Sequence, residues 1–166
     1  PVVGVSWNDA MRYVDWLSEQ CGQQYRLPME AEWEYACRAG TAKPFCFGEA
    51  INTDQANYDG NYVYGKGRKG NYRQQTVEVG QFPANPWGLY DMHGNVWEWT
   101  GSGYDEKYGG AELRIVSNRD SSGPRVLRGG SWYSEPLRLR SAARNRLDPR
   151  SWSTYVGFRL ARTLTI

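Results

Sequence analysis

Between Thr41 and Pro86 the chain loses every trace of hydrophobic periodicity. Asn57-Tyr58-Asp59-Gly60, Gly65-Lys66-Gly67 and Gly70-Asn71-Tyr72 interrupt it with turn-forming residues, and only Val77-Glu78-Val79 reads as a short strand. So long a stretch without regular structure is uncommon in a domain unless a bound ion or functional loop packing organises it. The chain is therefore expected to be loop-rich, with its regular elements gathered towards its two ends. Its composition agrees: 19 Gly and 8 Pro favour turns over element interiors, and 8 Trp and 12 Tyr outweigh 4 Phe. Tyr and Trp join a large apolar body to a polar tip, which suits half-buried positions and binding surfaces.

Pro1 to Val5 reads as a strand. Ser6, with Asp9 three residues on, forms an S-x-x-D capping box, and Trp7, Ala10, Met11, Val14, Leu17 and Cys21 recur at helical spacing until Gly22. A second helix is expected after Arg26-Leu27-Pro28. Glu30 and Glu32 sit in its first turn, where the helix dipole favours negative charge; Trp33, Ala36 and Cys37 form its buried stripe, and Gly40 ends it. Met29 stands where a capping Ser or Thr belongs, forgoing about 1 kcal/mol. Val96 to Trp99, Arg125 to Trp132, Leu139 to Arg144 and Val156 to Arg162 read as strands, and Tyr104 to Gly123 as a polar loop. No repeat, low-complexity segment or linker divides the chain, so residues 1–166 are taken as a single domain.

With 20 basic and 18 acidic residues the net charge is +2, too even to point to nucleic acid. No run approaches the roughly 18 apolar residues of a membrane-spanning helix, so no membrane insertion is expected. Pro1 to Asp9 lacks the basic start and apolar run of a signal peptide. Cys21, Cys37 and Cys46 lack zinc-type spacing and are expected as buried free thiols, which favours a reducing, cytoplasmic compartment.

His93, the only histidine, has no G-x-S-x-G elbow to serve, so a structural role is expected of it. Gly65 to Gly70 lacks the spacing of a phosphate-binding loop. Asp91, Glu98, Asn57 and Asn71 lie in or beside glycine-rich turns and offer the oxygens that calcium takes, although Asx residues also build such turns unaided. From Trp132 to Tyr155, aromatic residues are mixed with small polar ones, the chemistry of a paratope; a surface loop with no binding role is the competing account.

Five ordered segments carry a resemblance. Val3-Gly4-Val5-Ser6-Trp7, Tyr25-Arg26-Leu27-Pro28 with Glu30-Ala31-Glu32-Trp33-Glu34-Tyr35-Ala36, Gly88 to Trp99, Arg128-Gly129-Gly130-Ser131-Trp132 and Gly157-Phe158-Arg159-Leu160-Ala161 resemble the formylglycine-generating, sulfatase-modifying enzyme family. The resemblance implies an α+β, C-type-lectin-like fold of two helices, small antiparallel sheets and extensive irregular loops. Its members usually continue upstream of the position of Pro1, so the usual N-terminal portion is expected to be missing. The family's oxidases convert a cysteine of sulfatases to formylglycine with two cysteines placed shortly after the Gly-Gly-Ser motif. Here Ser134 stands where the first would fall, the loop of the second is shortened, and no cysteine lies beyond Cys46. A hydroxyl cannot supply the soft thiolate that copper(I) requires, so neither copper nor oxidase activity is expected.

The same resemblance implies structural calcium at Asp91, Gly94, Val96 and Glu98, with Gly94 and Val96 offering carbonyls, and a second ion at Asn57, Tyr58, Asn71 and Arg73. It extends to the bacterial variable proteins of diversity-generating retroelements, which share a Gly-Gly-Ser-Trp and Gly-Phe-Arg ending. Asparagine codons diversified at adenine would reach residues of the kinds found at Tyr133, Ser134, Ala143, Ser151, Ser153, Thr154 and Tyr155.

The expectation is thus a non-catalytic domain that binds a ligand, most readily a protein. Two segments would meet it: Tyr133, Ser134, Glu135 and Leu137, then Ala143, Asn145, Leu147, Arg150, Ser151, Trp152, Ser153, Thr154 and Tyr155. Two alternatives stand beside it. One is a metal-dependent oxidoreductase of the formylglycine-generating or sulfoxide-synthase type. The other is an accessory module of a larger effector, such as a kinase or protease.

Overall fold

The computed structural model describes residues 1–164. Helix α1, Trp7–Cys21, begins where its capping box demands: Ser6 Oγ accepts from Asp9 N at 3.1 Å, and Asp9 Oδ2 accepts from Ser6 N at 3.0 Å. Gly22 ends it in a left-handed conformation, φ 62°. Trp7, Ala10, Met11 and Val14 are buried, but Leu17 is only half-buried and Cys21 is exposed. The expectation of three buried thiols is corrected there, because the last turn of α1 runs past the core.

Helix α2, Glu30–Arg38, has no capping side chain at Met29; Glu32 supplies half a box by accepting from Met29 N at 2.9 Å. Ala39 takes the left-handed C-cap, φ 45°, one residue before the expected Gly40.

A four-stranded sheet forms the centre. Its strands are β2 (Trp97–Gly103), β3 (Arg125–Arg128), β4 (Arg144–Leu147) and β5 (Val156–Phe158), in the order β4-β3-β2-β5. The β2–β3 and β3–β4 pairs are antiparallel and β2–β5 is parallel, so this sheet is mixed. A two-stranded antiparallel sheet joins β1, Tyr25–Arg26, to β6, Ala161–Arg162. The sequence reading missed β1, which is too short to show alternation.

Several strand expectations are corrected. Val2 to Val5 forms no strand: Gly4 takes φ 72°, and the segment crosses β5 irregularly with Gly4 N donating to Ser153 O at 3.0 Å. Val77 to Val79 is also irregular. Asn95 there does the work of a neighbouring strand, its Oδ1 accepting from Val77 N at 3.0 Å and its Nδ2 donating to Val77 O at 3.2 Å. β3 stops at Arg128 because Gly129 and Gly130 adopt φ 100° and 75°. In place of a strand over Leu139 to Arg144, a 3-10 turn spans Pro136–Leu139 and pairing begins only at Arg144. Val156 to Arg162 divides into β5 and β6.

Trp7, Leu27, Trp97, Trp99, Leu127 and Val156 form the main core between α1 and the sheet. Burying two indoles fully requires partners for their N–H groups: Trp7 Nε1 donates to Thr100 O at 2.8 Å and Trp99 Nε1 to Val5 O at 3.1 Å. A separate cluster of Phe45, Ile51, Ala56, Tyr58 and Leu139 gives the aperiodic middle its own small core. That segment is thus organised by packing onto the 3-10 turn. Gly94 locks the two regions together: a Cβ there would lie 2.4 Å from Asn57 O. No helix among the described residues is long and apolar enough to cross a membrane.

Candidate ligand-binding face and cation sites

Gly129-Gly130 turn the chain out of β3 into a loop that closes on itself through hydroxyls. Ser134 Oγ accepts from Ser131 N at 3.0 Å and lies 3.1 Å from Ser131 Oγ, while Ser134 N donates to Ser131 O at 3.0 Å. Asp59 N, from the aperiodic segment, donates to Ser134 O at 3.0 Å. The residue standing where a thiol was sought is therefore a turn-forming hydroxyl.

This loop borders an open cavity of about 400 Å³. Six of the expected residues line it: Tyr133, Ser134, Glu135, Leu137, Asn145 and Tyr155. Trp97, Ser131 and Arg138 line it as well, and the sequence reading missed them. Trp97 and Ser131 lay inside quoted motifs, but nothing local to them signals a cavity. Tyr133 and Tyr155 stack at its mouth, centroids 6.3 Å apart and planes at 22°. The aromatic row continues through Trp132, 5.7 Å from Tyr133, to Tyr72, 6.5 Å from Trp132.

The remaining expected residues stand elsewhere. Trp152 is 65% exposed but sits over Gly4, its ring 3.9 Å from where a Cβ would be, where the N-terminal segment crosses. Arg150 pairs with Asp148 in a turn closed by Ser151 N donating to Asp148 O, and half-buried Ser153 and exposed Thr154 belong to the next turn, which leads into β5. Ala143 is buried and Leu147 half-buried, so the former lies beneath the face instead of on it.

Behind the face lies a buried ionic cluster. Glu30 is fully buried; its Oε1 accepts from Arg128 Nε at 2.9 Å and Arg144 Nε at 2.5 Å, and its Oε2 from Arg144 Nη2 at 2.7 Å. Arg128 also reaches Glu34 Oε2 and Ser141 O, at 2.8 and 2.7 Å. Glu30 thus does more than answer the dipole of α2: it joins that helix to β3 and β4.

His93 is buried between two backbone groups, its Nδ1 donating to Leu139 O at 2.7 Å and its Nε2 accepting from Cys46 N at 3.0 Å. This fixes a neutral tautomer, and burial pushes the imidazole pKa down to about 4. Burial likewise pushes the Cys37 thiol up to about 12 and Cys46 up to about 11. Both thiols stay protonated near neutral pH and are poor nucleophiles.

The two sets of calcium-type residues differ. Asp91, Gly94, Val96 and Glu98 border one cavity of about 380 Å³. Both Glu98 oxygens, however, are occupied: Oε2 accepts from Arg159 Nε at 2.6 Å and Trp33 Nε1 at 2.7 Å, and Oε1 from Arg159 Nη2 at 2.7 Å. An adjacent guanidinium already neutralises the carboxylate a cation would need, so this set fits calcium poorly. Asn57 Oδ1, by contrast, is buried with no hydrogen-bond donor, while its Nδ2 donates to Gln75 O and Asn95 Oδ1. Gly60 brings the two arms of this set together, since a Cβ there would lie 2.5 Å from Gly70 O and 2.7 Å from Asn71 O. A buried oxygen with no donor fits a hard cation, whereas Arg73, whose buried Nη1 also lacks a partner, brings a guanidinium to the same set.

A family model, the sulfatase-modifying factor enzyme 1-like domain, matches residues 1–164. The serine/threonine-protein kinase pkn1 of Chlamydia caviae is 39% identical over 98% of this chain and 24% of its own length. The formylglycine-generating enzyme of Mus musculus is 38% identical over 97% of this chain and 44% of its own. The chain therefore spans about a quarter of the first relative and less than half of the second. Among solved structures, PvdO from Pseudomonas aeruginosa superposes with a TM-score of 0.82 and 37% identity, over 99% of this chain and 62% of that one. Treponema denticola variable protein 1 shares the fold, with a TM-score of 0.74 at 24% identity over 96% of this chain and 70% of that one. The ordered motifs, the mixed sheet with its two helices and the family match over residues 1–164 together make this chain a member of the sulfatase-modifying factor, or formylglycine-generating enzyme, family.

Proposed function

We propose that this domain binds a protein ligand without transforming it, through the cavity bordered by Tyr133, Leu137, Asn145 and Tyr155. One observation carries the reading. Ser134 is committed to the Ser131 turn, while Tyr133 and Tyr155 stack at the cavity mouth without being packed away. None of the cavity's lining residues is a cysteine. Exposed aromatics held by a rigid loop supply contact area at a low ordering cost.

The experiment has two arms. Peptides selected by phage display on the intact chain should lose about 30-fold in affinity on Tyr133→Ala, the ~2 kcal/mol of a binding hot spot. Unchanged affinity in both Tyr133→Ala and Tyr155→Ala would remove the site. In the second arm, the chain receives copper(I), oxygen and a cysteine peptide taken from a sulfatase, and mass spectrometry should find no aldehyde product. Turnover above background would replace binding with catalysis.

A structural calcium ion belongs to the same reading, held by Asn57 Oδ1, Asn71 and the carbonyls of Tyr58 and Arg73. It would supply positive charge to Asn57 Oδ1, which otherwise lacks a partner, pinning residues 57–60 to residues 70–73. Calorimetry with calcium chloride should give a site that Asn57→Leu abolishes.

A second reading, compatible with the first, is that the domain serves as an accessory module in a longer protein. The kinase relative favours it, being matched over nearly all of this chain yet a quarter of its own length. Sequencing the surrounding gene would decide it, and a reverse transcriptase with a near-repeat template nearby would instead assign the face to retroelement diversification.

A further inference from the structure

β4 is an outer strand of the four-stranded sheet, and Asn145 on it lines the cavity. The register decides which groups its free edge presents. Val126 turns its carbonyl towards β2, where Thr100 Oγ1 donates to it at 3.2 Å. Its neighbours Leu127 and Arg125 therefore face β4 and pair with Asn145 and Leu147. Arg144 and Arg146 are left with N–H and C=O pointing away from the sheet. Arg146 N finds an acceptor only in its own neighbour, Asn145 Oδ1 at 2.9 Å. No backbone group outside the sheet bonds to residue 144 or 146 among the described residues. An asparagine side chain thus occupies the place of a further strand's carbonyl.

The charge along this edge is one-sided. Among the described residues Arg138, Arg140 and Arg146 form no ion pair, whereas Arg144 is answered by Glu30. Arg138 lines the cavity on the Asn145 side of the strand. Arg146, on the opposite side, lies 4.7 Å from the centre of the Tyr104 ring. Glu135 is the only acid among the cavity's lining residues.

We infer that the partner of this face is an extended, acidic polypeptide segment that adds to β4 as a fifth strand. The inference rests on the cavity reading above and specifies its ligand. An added strand sends alternate side chains to opposite faces. One set enters the cavity over Tyr133, Leu137 and Tyr155, and the intervening set brings carboxylates to Arg146. Main-chain bonds to Arg144 and Arg146 supply affinity, while the cavity and the guanidinium select the sequence. A second copy of this chain suits the edge poorly, because it would set like charges opposite one another.

Two fluorescein-labelled decapeptides, blocked at both ends, test the inference by anisotropy on the intact chain. One alternates Tyr and Val with Glu, and the other replaces Glu with Lys. The Glu peptide should bind about tenfold tighter or more, and Arg146→Glu should reverse that preference. N-methylating one alternate set of amides in the Glu peptide should cost about tenfold or more, and methylating the other set little, because only one set faces β4. Equal effects from the two methylated sets overturn strand addition; if Tyr133→Ala still weakens the peptide, the cavity reading survives without it. Failure of both peptides to bind while phage-selected peptides do bind the Tyr133 site likewise overturns the inference alone. A dimer in sedimentation that Arg146→Glu abolishes would give the edge to self-association and overturn it too.

Discussion

Glu30, Arg128 and Arg144 lie inside the molecule with their charges answered several times over, whereas Tyr133 and Leu137, 64% and 47% exposed, stand in water at the cavity. The usual distribution is inverted in both places, and a buried charge or a contiguous exposed apolar surface is the informative kind of observation. The contrast separates two uses of residues that are close in sequence. Inside, polar groups hold α2, β3 and β4 in one arrangement, and removing one strands the others. Outside, Tyr133 stacks only on neighbours of the same face and answers no buried group, which leaves its exposed surface free to meet something else.

The largest expected effect breaks the inner region. Arg128→Met leaves the fully buried Glu30 with Arg144 as its one remaining guanidinium and should cost about 3–5 kcal/mol in urea denaturation. A loss below ~1 kcal/mol would mean that the cluster is not the fold's tie.

The next effect is a pH dependence with the same origin. His93 takes its proton at about 4 in the fold, against 6.5 in the unfolded chain. Between those values the unfolded chain holds more protons, so stability is full above about pH 6.5 and is lost as pH falls towards 4, by roughly 3 kcal/mol. His93→Gln should flatten unfolding free energy across that window; an unchanged slope would assign it to other groups.

The outer region should respond in the opposite sense. Tyr133→Ala should leave stability within about 1 kcal/mol of the parent while costing ~2 kcal/mol of peptide affinity. Equal losses in both measurements would erase the distinction between the regions. Smallest is Ser6→Ala, about 1 kcal/mol in thermal denaturation from the broken capping box, with no change in peptide affinity. Any affinity change there would couple α1 to the face and sharpen the comparison further.

The two helices were legible because their determinants are local. Ser6, Asp9 and the spacing from Trp7 to Val14 act within one or two turns, and they set α1 whatever the rest of the chain does. The order of the motifs also disclosed the family, and the lack of any cysteine beyond Cys46 was plain to read. Strand limits were not legible, since β3 ends where Gly129 turns and Val77 is held by Asn95, eighteen residues away. Nor was the burial of Glu30, whose partners lie on β3 and β4. The cavity draws Trp97, Ser131, Arg138, Asn145 and Tyr155 from separate segments, and Ala143, expected at the face from its place among the asparagine-derived positions, is turned inward. A helix is written in contacts between residues three and four apart, so sequence alone determined it. A sheet edge, a buried ion cluster and a cavity are contacts across the fold, and only tertiary packing decides which side chains are spent inside and which remain available.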